Sequence, residues 1–169
     1  MSNTATKVFN TFNGVWSFTR KIAGSGHMNG LAKFEKLNSS LNELIYKENG
    51  LFIFDNGNQI EAHREYLYRL NKKTNQLEVY FVENDNNNRL FHTLEFKNIN
   101  DNLNETTSLT SQKKQCLSAN ALHECIKDTY KIKYEIFKDN EFKIVYTVNG
   151  PSKNYVSETY FIKIDANTF

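Results

Sequence analysis

Tyr130-Lys131-Ile132-Lys133-Tyr134-Glu135-Ile136 and Phe142-Lys143-Ile144-Val145-Tyr146-Thr147-Val148 flank the turn dipeptide Asp139-Asn140. In the first run Tyr130, Ile132, Tyr134 and Ile136 share one face, and the intervening residues are charged. In the second, Phe142, Ile144, Tyr146 and Val148 do the same. A helix would scatter such a period-two set around its axis, whereas a strand with one buried face needs it. Rings and β-branched residues fit the pleated surface well. This pair of runs therefore reads as an antiparallel hairpin.

The same alternation recurs outward from it. Val15–Ile22 puts Trp16, Phe18, Arg20 and Ile22 on one face, and Ile60–Leu70 does so for Ala62, Arg64, Tyr66, Tyr68 and Leu70. Shorter candidate strands are Leu31–Leu37, Leu44–Glu48, Leu51–Phe54, Leu77–Val82, Leu90–Phe96 and Tyr155–Ile164. The connectors Asn49-Gly50, Asn56-Gly57, Asn84 to Asn88 and Asn149-Gly150-Pro151 tolerate the positive φ of tight turns. Sequential hairpins make an up-and-down meander, which loses its adhesive edges by closing on itself. The expected fold is all-β, a single antiparallel up-and-down barrel with little helix and an interior able to hold a ligand. Residues 1–11 read as a flexible tail, 12–169 as the barrel, and the patternless 98–114 as a mobile loop or insertion. Gln115–Leu122 reads as a possible helical turn.

Composition narrows the function classes. Hydrophobic residues make up 39% of the 169 and aromatics 14%, enough to drive collapse of one domain. With 21 Lys+Arg against 19 Asp+Glu the net charge is +2, without the dense basic face of a nucleic-acid binder. No apolar run approaches membrane-spanning length. Two cysteines, Cys116 and Cys125, and a polar start point to a soluble, cytoplasmic or otherwise intracellular protein. Neither a dinucleotide fingerprint, nor a phosphate-binding glycine loop, nor a protease or kinase motif is present. No cofactor is expected, and the oligomeric state is left open.

Three patches hold the chemistry. Gly14-Val15-Trp16 opens the first long strand, with Arg20 on the face of Trp16 as a cation that could stack near the indole; both Gly14 and Trp16 read as structural. In Arg64-Glu65-Tyr66 the inward Arg64 needs a counter-charge or an anion, and Glu48 is a candidate partner. In His123-Glu124-Cys125 through Asp128 and Tyr130, a metal site with His92 as fourth ligand competes with other readings. One is a Cys125 nucleophile activated by His92 or His123. The other is plain structure, with Cys125 a small buried hydrophobe. The structural reading is preferred and no metal is expected.

Taken together these patches resemble a family, the calycin-like (lipocalin-like) proteins of domain of unknown function sixty-three fourteen. Its order of motifs is met by Gly14-x-Trp16-x-x-x-Arg20-x-Ile22, Ala32-x-Phe34, Glu48-x-Gly50, Arg64-x-Tyr66 and Phe91-His92. His123-x-Cys125-x-x-Asp128-x-Tyr130 and Gly150-Pro151-x-Lys153-x-Tyr155 complete it, with Gly150 and Pro151 read as structural. Asn154 stands where many relatives carry Asp, and the 98–114 stretch is long for the family. The resemblance spans about Phe12 to Ile164 and implies a lipocalin-like barrel, without an established activity.

On the expected inner face Arg20, Glu48, Arg64, Tyr66, His92, Tyr130, Tyr146 and Lys153 would share one lumen. A few charges among many rings suit a small molecule that is partly anionic and partly apolar. The alternatives are an enzyme with His92 or His123 as general acid or base opposite Arg64 or Lys153, and a non-catalytic scaffold or accessory interaction subunit.

Overall fold

The computed structural model describes residues 3–84, 87–99 and 116–165. One helix, α1 (Thr4–Phe12), precedes eleven antiparallel strands: β1 (Gly14–Ile22), β2 (Gly26–Lys36), β3 (Glu43–Phe54), β4 (Gln59–Asn71), β5 (Gln76–Phe81) and β6 (Arg89–Leu94), then β7 (Lys97–Asn98), β8 (Leu117–Cys125), β9 (Asp128–Lys138), β10 (Glu141–Asn149) and β11 (Asn154–Lys163). They form one sheet in the order β6-β5-β4-β3-β2-β1-β11-β10-β9-β8-β7. The sheet curls until β6 packs on β8, where its two ends meet without a hydrogen-bonded ladder.

The period-two faces of the sequence are the buried faces of this barrel, and one core runs through it. Two sequence expectations change. The first residues are not a free tail: Ala5, Val8, Phe9 and Phe12 are all buried along one side of α1 and plug one end. The spacing i, i+3, i+4, i+7 after the N-cap Asn3 is the helical signal that this stretch carries. Of Gln115–Leu122, Gln115 lies outside the described residues and Cys116–Leu122 holds no helical turn, since β8 begins at Leu117 and Ala119 and Ala121 face inward opposite Tyr134 and Ile132. Of the 98–114 loop expected, residues 100–114 lie outside the described residues.

Trp16 holds the plug. Its indole Nε1 donates to the Phe12 carbonyl at 2.8 Å, and its ring meets Phe142 edge-on. The cation over Trp16 is Lys163, 5.1 Å from the ring centre, rather than the expected Arg20, which lies over Phe18. Lys163 also donates to the Thr11 carbonyl at 2.7 Å. Gly14 has φ +133°, a backbone conformation that favours glycine, and a Cβ there would also push aside the end of the Lys163 side chain.

The opposite end is built differently. Ile22, Phe54, Ala62, Phe81, Tyr130 and Tyr155 pack on the core but stay only partly buried. This end is the mouth. At the β8–β9 turn Ile126 is fully exposed with φ 56°, a costly conformation for a β-branched residue that nothing in the described structure explains.

Candidate functional site

Between plug and mouth lies a buried ion cluster. Arg20 on β1 binds Glu48 on β3 bidentately, at 2.7 and 2.8 Å, and donates from Nε to Thr159 Oγ1 on β11 at 2.8 Å. Tyr46 donates its hydroxyl to the second Glu48 oxygen. Register explains how residues two strands apart meet. Arg20 lies opposite Met28 and Glu48 opposite Ala32, so Gly30 is the midpoint of β2 between them. A Cβ at Gly30 would collide with the Asn49 carbonyl and stand 2.8 Å from the Phe18 ring. Burial pushes the Glu48 carboxyl up, but Arg20, with help from Arg64 and Tyr46, outweighs this and holds it below the usual range.

Arg64 lies directly opposite Glu48 in the β3–β4 register, yet its Nε stays 3.9 Å from a carboxylate oxygen that Arg20 already occupies. Its guanidinium lies 5.9 Å from the Tyr66 ring centre, within the electrostatic reach of Tyr46 and Tyr146. Although these side chains surround it, Arg64 is 41% exposed, so it sits in a recess that water reaches. With Arg20 and Glu48 neutralising each other, Arg64 leaves the cluster one positive charge.

Beyond Arg64 the wall is aromatic. Tyr66 stacks on Phe91 at 5.7 Å, and Phe91 stacks on Tyr146 at 6.3 Å and touches His123 edge-on at 4.9 Å. Tyr130 follows, with Lys153 6.0 Å from its ring centre and bonding its hydroxyl at 3.3 Å. Lys153 is itself paired with Asp128 at 3.4 Å. A Cβ at Gly150 would collide with the Asp128 carboxylate, which is why the Gly150-Pro151 turn needs glycine. Tyr155, half-buried between the two clusters, feels Tyr130, Arg64, Lys153 and Asp128 together, and burial pushes its hydroxyl up.

Of the expected ligand residues, Arg20, Glu48, Arg64, Tyr66 and Tyr146 therefore line one recess, and Tyr130 and Lys153 form the rim of the same mouth. His92 is elsewhere. Val79 pairs with His92 and Tyr80 with Leu90, which leaves Phe91 as a bulge. The bulge turns Phe91 and His92 both inward. Phe91 joins the recess wall, whereas His92 is sealed against Phe91 and Tyr134, 3% exposed, with both ring nitrogens unpartnered among the described residues. Burial, with a smaller contribution from His123, pushes its pKa down to about 3.

Two expectations are corrected here, and two alternatives at Cys125 find no support among the described residues. Among the described residues the deep lumen leaves little room: the space bounded by Arg20, Glu48, Arg64, Tyr66, Tyr146 and Thr159 is about 10 Å³, room for about one water. Any larger ligand has to sit above it, at the mouth. Cys125 is exposed rather than a buried hydrophobe. Among the described residues it bonds neither histidine, so the nucleophile reading lacks its base. Nor do His92, His123, Cys125 and Asp128 converge, and no metal-holding group of three His, Cys, Asp or Glu exists among the described residues. Sequence reasoning left Tyr46, Thr159, Phe91 and Tyr155 out of the site. Two of them carry a signal, Phe91 in the Phe91-His92 motif and Tyr155 as the last residue of the Gly150-Pro151-x-Lys153-x-Tyr155 motif.

No curated protein matches this sequence. Among solved structures, the redesigned β-barrel mFAP1, bound to DFHBI, is 11% identical with a TM-score of 0.39, over 93% of this chain and 99% of the other. A fluorescence-activating β-barrel of de novo design is 9% identical with a TM-score of 0.41, over 97% and 100%. No helix among the described residues is long and apolar enough to cross a membrane. The barrel with its motif residues gathered at plug, ion cluster and mouth matches one family over residues 12–163, and the chain belongs to the family of unknown function DUF6314.

Proposed function

We propose that the barrel binds a small anionic molecule at its mouth, with Arg64 as the anchor. The observation that carries this is the surplus charge. Both Glu48 oxygens are engaged by Arg20, at 2.7 and 2.8 Å, so Arg64, at 3.9 Å and partly exposed, keeps donors that solvent reaches. A guanidinium recognises carboxylate or phosphate through two parallel donors, and it does so more strongly in a recess than on an open surface. The partly buried rings of Phe81, Tyr130 and Tyr155 would cover the apolar part of the ligand.

Titration calorimetry with acetate, benzoate and inorganic phosphate tests the reading. Wild type is expected to bind at least one of them, and Arg64→Gln to weaken that binding by about 10- to 100-fold, the value of a charge-assisted pair. Arg69→Gln, on the outer wall beside Glu43, should leave it unchanged. Equal binding by wild type and Arg64→Gln, or no binding of any of the three, contradicts the proposal.

One observation favours a second reading, an interaction scaffold. On the outer wall Leu31 and Ile162 flank Ser17, while Leu51 and Tyr160 extend the next row through Asn29 and Thr19. All four large side chains are exposed and no charge interrupts these two rows. Such a patch suits a protein partner or a second copy. Under this reading wild type sediments as a concentration-dependent dimer and Leu31→Lys with Ile162→Lys as a monomer. A wild type that is monomeric throughout removes the second copy as occupant.

A further inference from the structure

Below the mouth, the space at the ion cluster has a chemistry of its own: we infer that it is a halide site, which takes a monatomic anion and refuses polyatomic ones. This goes beyond the mouth reading and shares only Arg64 with it. Size comes first. The space is about 10 Å³, room for about one water. A halide ion is close to a water in size, whereas carboxylates and phosphate carry several heavy atoms and do not fit. Arg64 lines the space and is 41% exposed, so solvent, and an ion with it, has a way in.

The lining sets the sign. Arg20 and Glu48 neutralise each other through bonds of 2.7 and 2.8 Å, and Arg64 keeps its charge beside them. Donors also outnumber acceptors. The Glu48 carboxylate takes two bonds from Arg20 and one from Tyr46, which leaves about one of its roughly four acceptor positions. The same space is lined by Tyr66 and Tyr146, whose hydroxyls bond no other group among the described residues and lie within the electrostatic reach of Arg64. Burial pushes both hydroxyls up, so they stay protonated and able to donate. Thr159 Oγ1 accepts from Arg20 Nε and keeps its own proton to give. A water here would have protons to place and almost no acceptor for them, whereas a halide only accepts.

Crystals of the full chain grown in sodium bromide, with anomalous diffraction collected at the bromine edge, test the site. The expected result is one bromide in this space, within hydrogen-bond reach of Arg64 and of the Tyr66 or Tyr146 hydroxyl. An ordered water only, without an anomalous peak, overturns the inference. In solution, wild type should broaden the chloride NMR line saturably. Arg64→Gln and Tyr146→Phe should each weaken that binding by about 10-fold or more, the value of a hydrogen bond to a charged group, while Arg69→Gln leaves it unchanged. Tyr146→Phe removes only an unbonded hydroxyl, so the fold is kept. Equal broadening by wild type and Arg64→Gln means an adventitious ion only and overturns the inference as well. Arg64-dependent binding of acetate, benzoate or phosphate without bromide in the space removes the halide site and leaves the mouth reading. Bromide in the space with no binding of those three does the reverse.

Discussion

Glu48→Gln is expected to destabilise the barrel by about 3 kcal/mol, because it leaves the Arg20 guanidinium buried without its counter-charge. Arg20 is 5% exposed and its two terminal nitrogens are spent on Glu48, so no solvent replaces the carboxylate. For a chain of this size the loss corresponds to a drop in Tm of about 10 °C. Urea unfolding of the single variants and of Arg20→Met/Glu48→Gln separates the terms. The double variant should recover more than half of the loss, since removing both charges removes the uncompensated one. A single-variant loss below about 1 kcal/mol would mean that the pair is solvated, contrary to its burial.

His92 should make the barrel acid-sensitive in a pH window where carboxylates contribute little. Its folded pKa of about 3 lies below the unfolded value near 6.5. As the pH falls below 6.5 the unfolded chain takes up a proton that the folded chain refuses, so stability declines by about 1.4 kcal/mol per pH unit. Between pH 6.5 and 5 that amounts to about 2 kcal/mol. The groups facing the imidazole are Phe91 from β6, Tyr134 from β9 and His123 on β8, none of them a carboxylate able to hold its proton. His92→Leu should abolish this loss. It should also gain about 1–2 kcal/mol at pH 7, because it removes two buried nitrogens that are unpartnered among the described residues. Denaturant unfolding across this window reads both effects. Parallel slopes for wild type and His92→Leu would show that the imidazole gains a partner or solvent in the folded state.

Much of the barrel was legible because alternation is a local signal. Tyr130 to Ile136, Phe142 to Val148 and Ala62 to Leu70 face the core as their period-two pattern predicts. The errors arose where a local signal was read too coarsely or where none existed. Ala5, Val8, Phe9 and Phe12 carry a helical period, but their polar surroundings made the stretch look like a tail. Phe91 and His92 are adjacent, so alternation allows only one of them inward, and the bulge that admits both leaves no trace in composition. The Arg20–Glu48 pair joins strands that are not neighbours. It depends on barrel curvature and on the register of both strands against β2, neither of which shows in either strand. In sequence Glu48 is therefore only a candidate partner for Arg64, its register neighbour, whereas the bidentate bond goes to Arg20. That difference frees Arg64, and the proposed function rests on it.

The most direct test follows the Arg64 Nε–Hε resonance in isotope-labelled protein during a benzoate titration, with the peak assigned by its loss in Arg64→Gln. The account predicts a saturable shift of that resonance that tracks one-to-one binding, while the Arg20 resonance, locked on Glu48 and Thr159, stays in place. Benzoate binding that leaves the Arg64 resonance unmoved would place the ligand elsewhere and contradict the account.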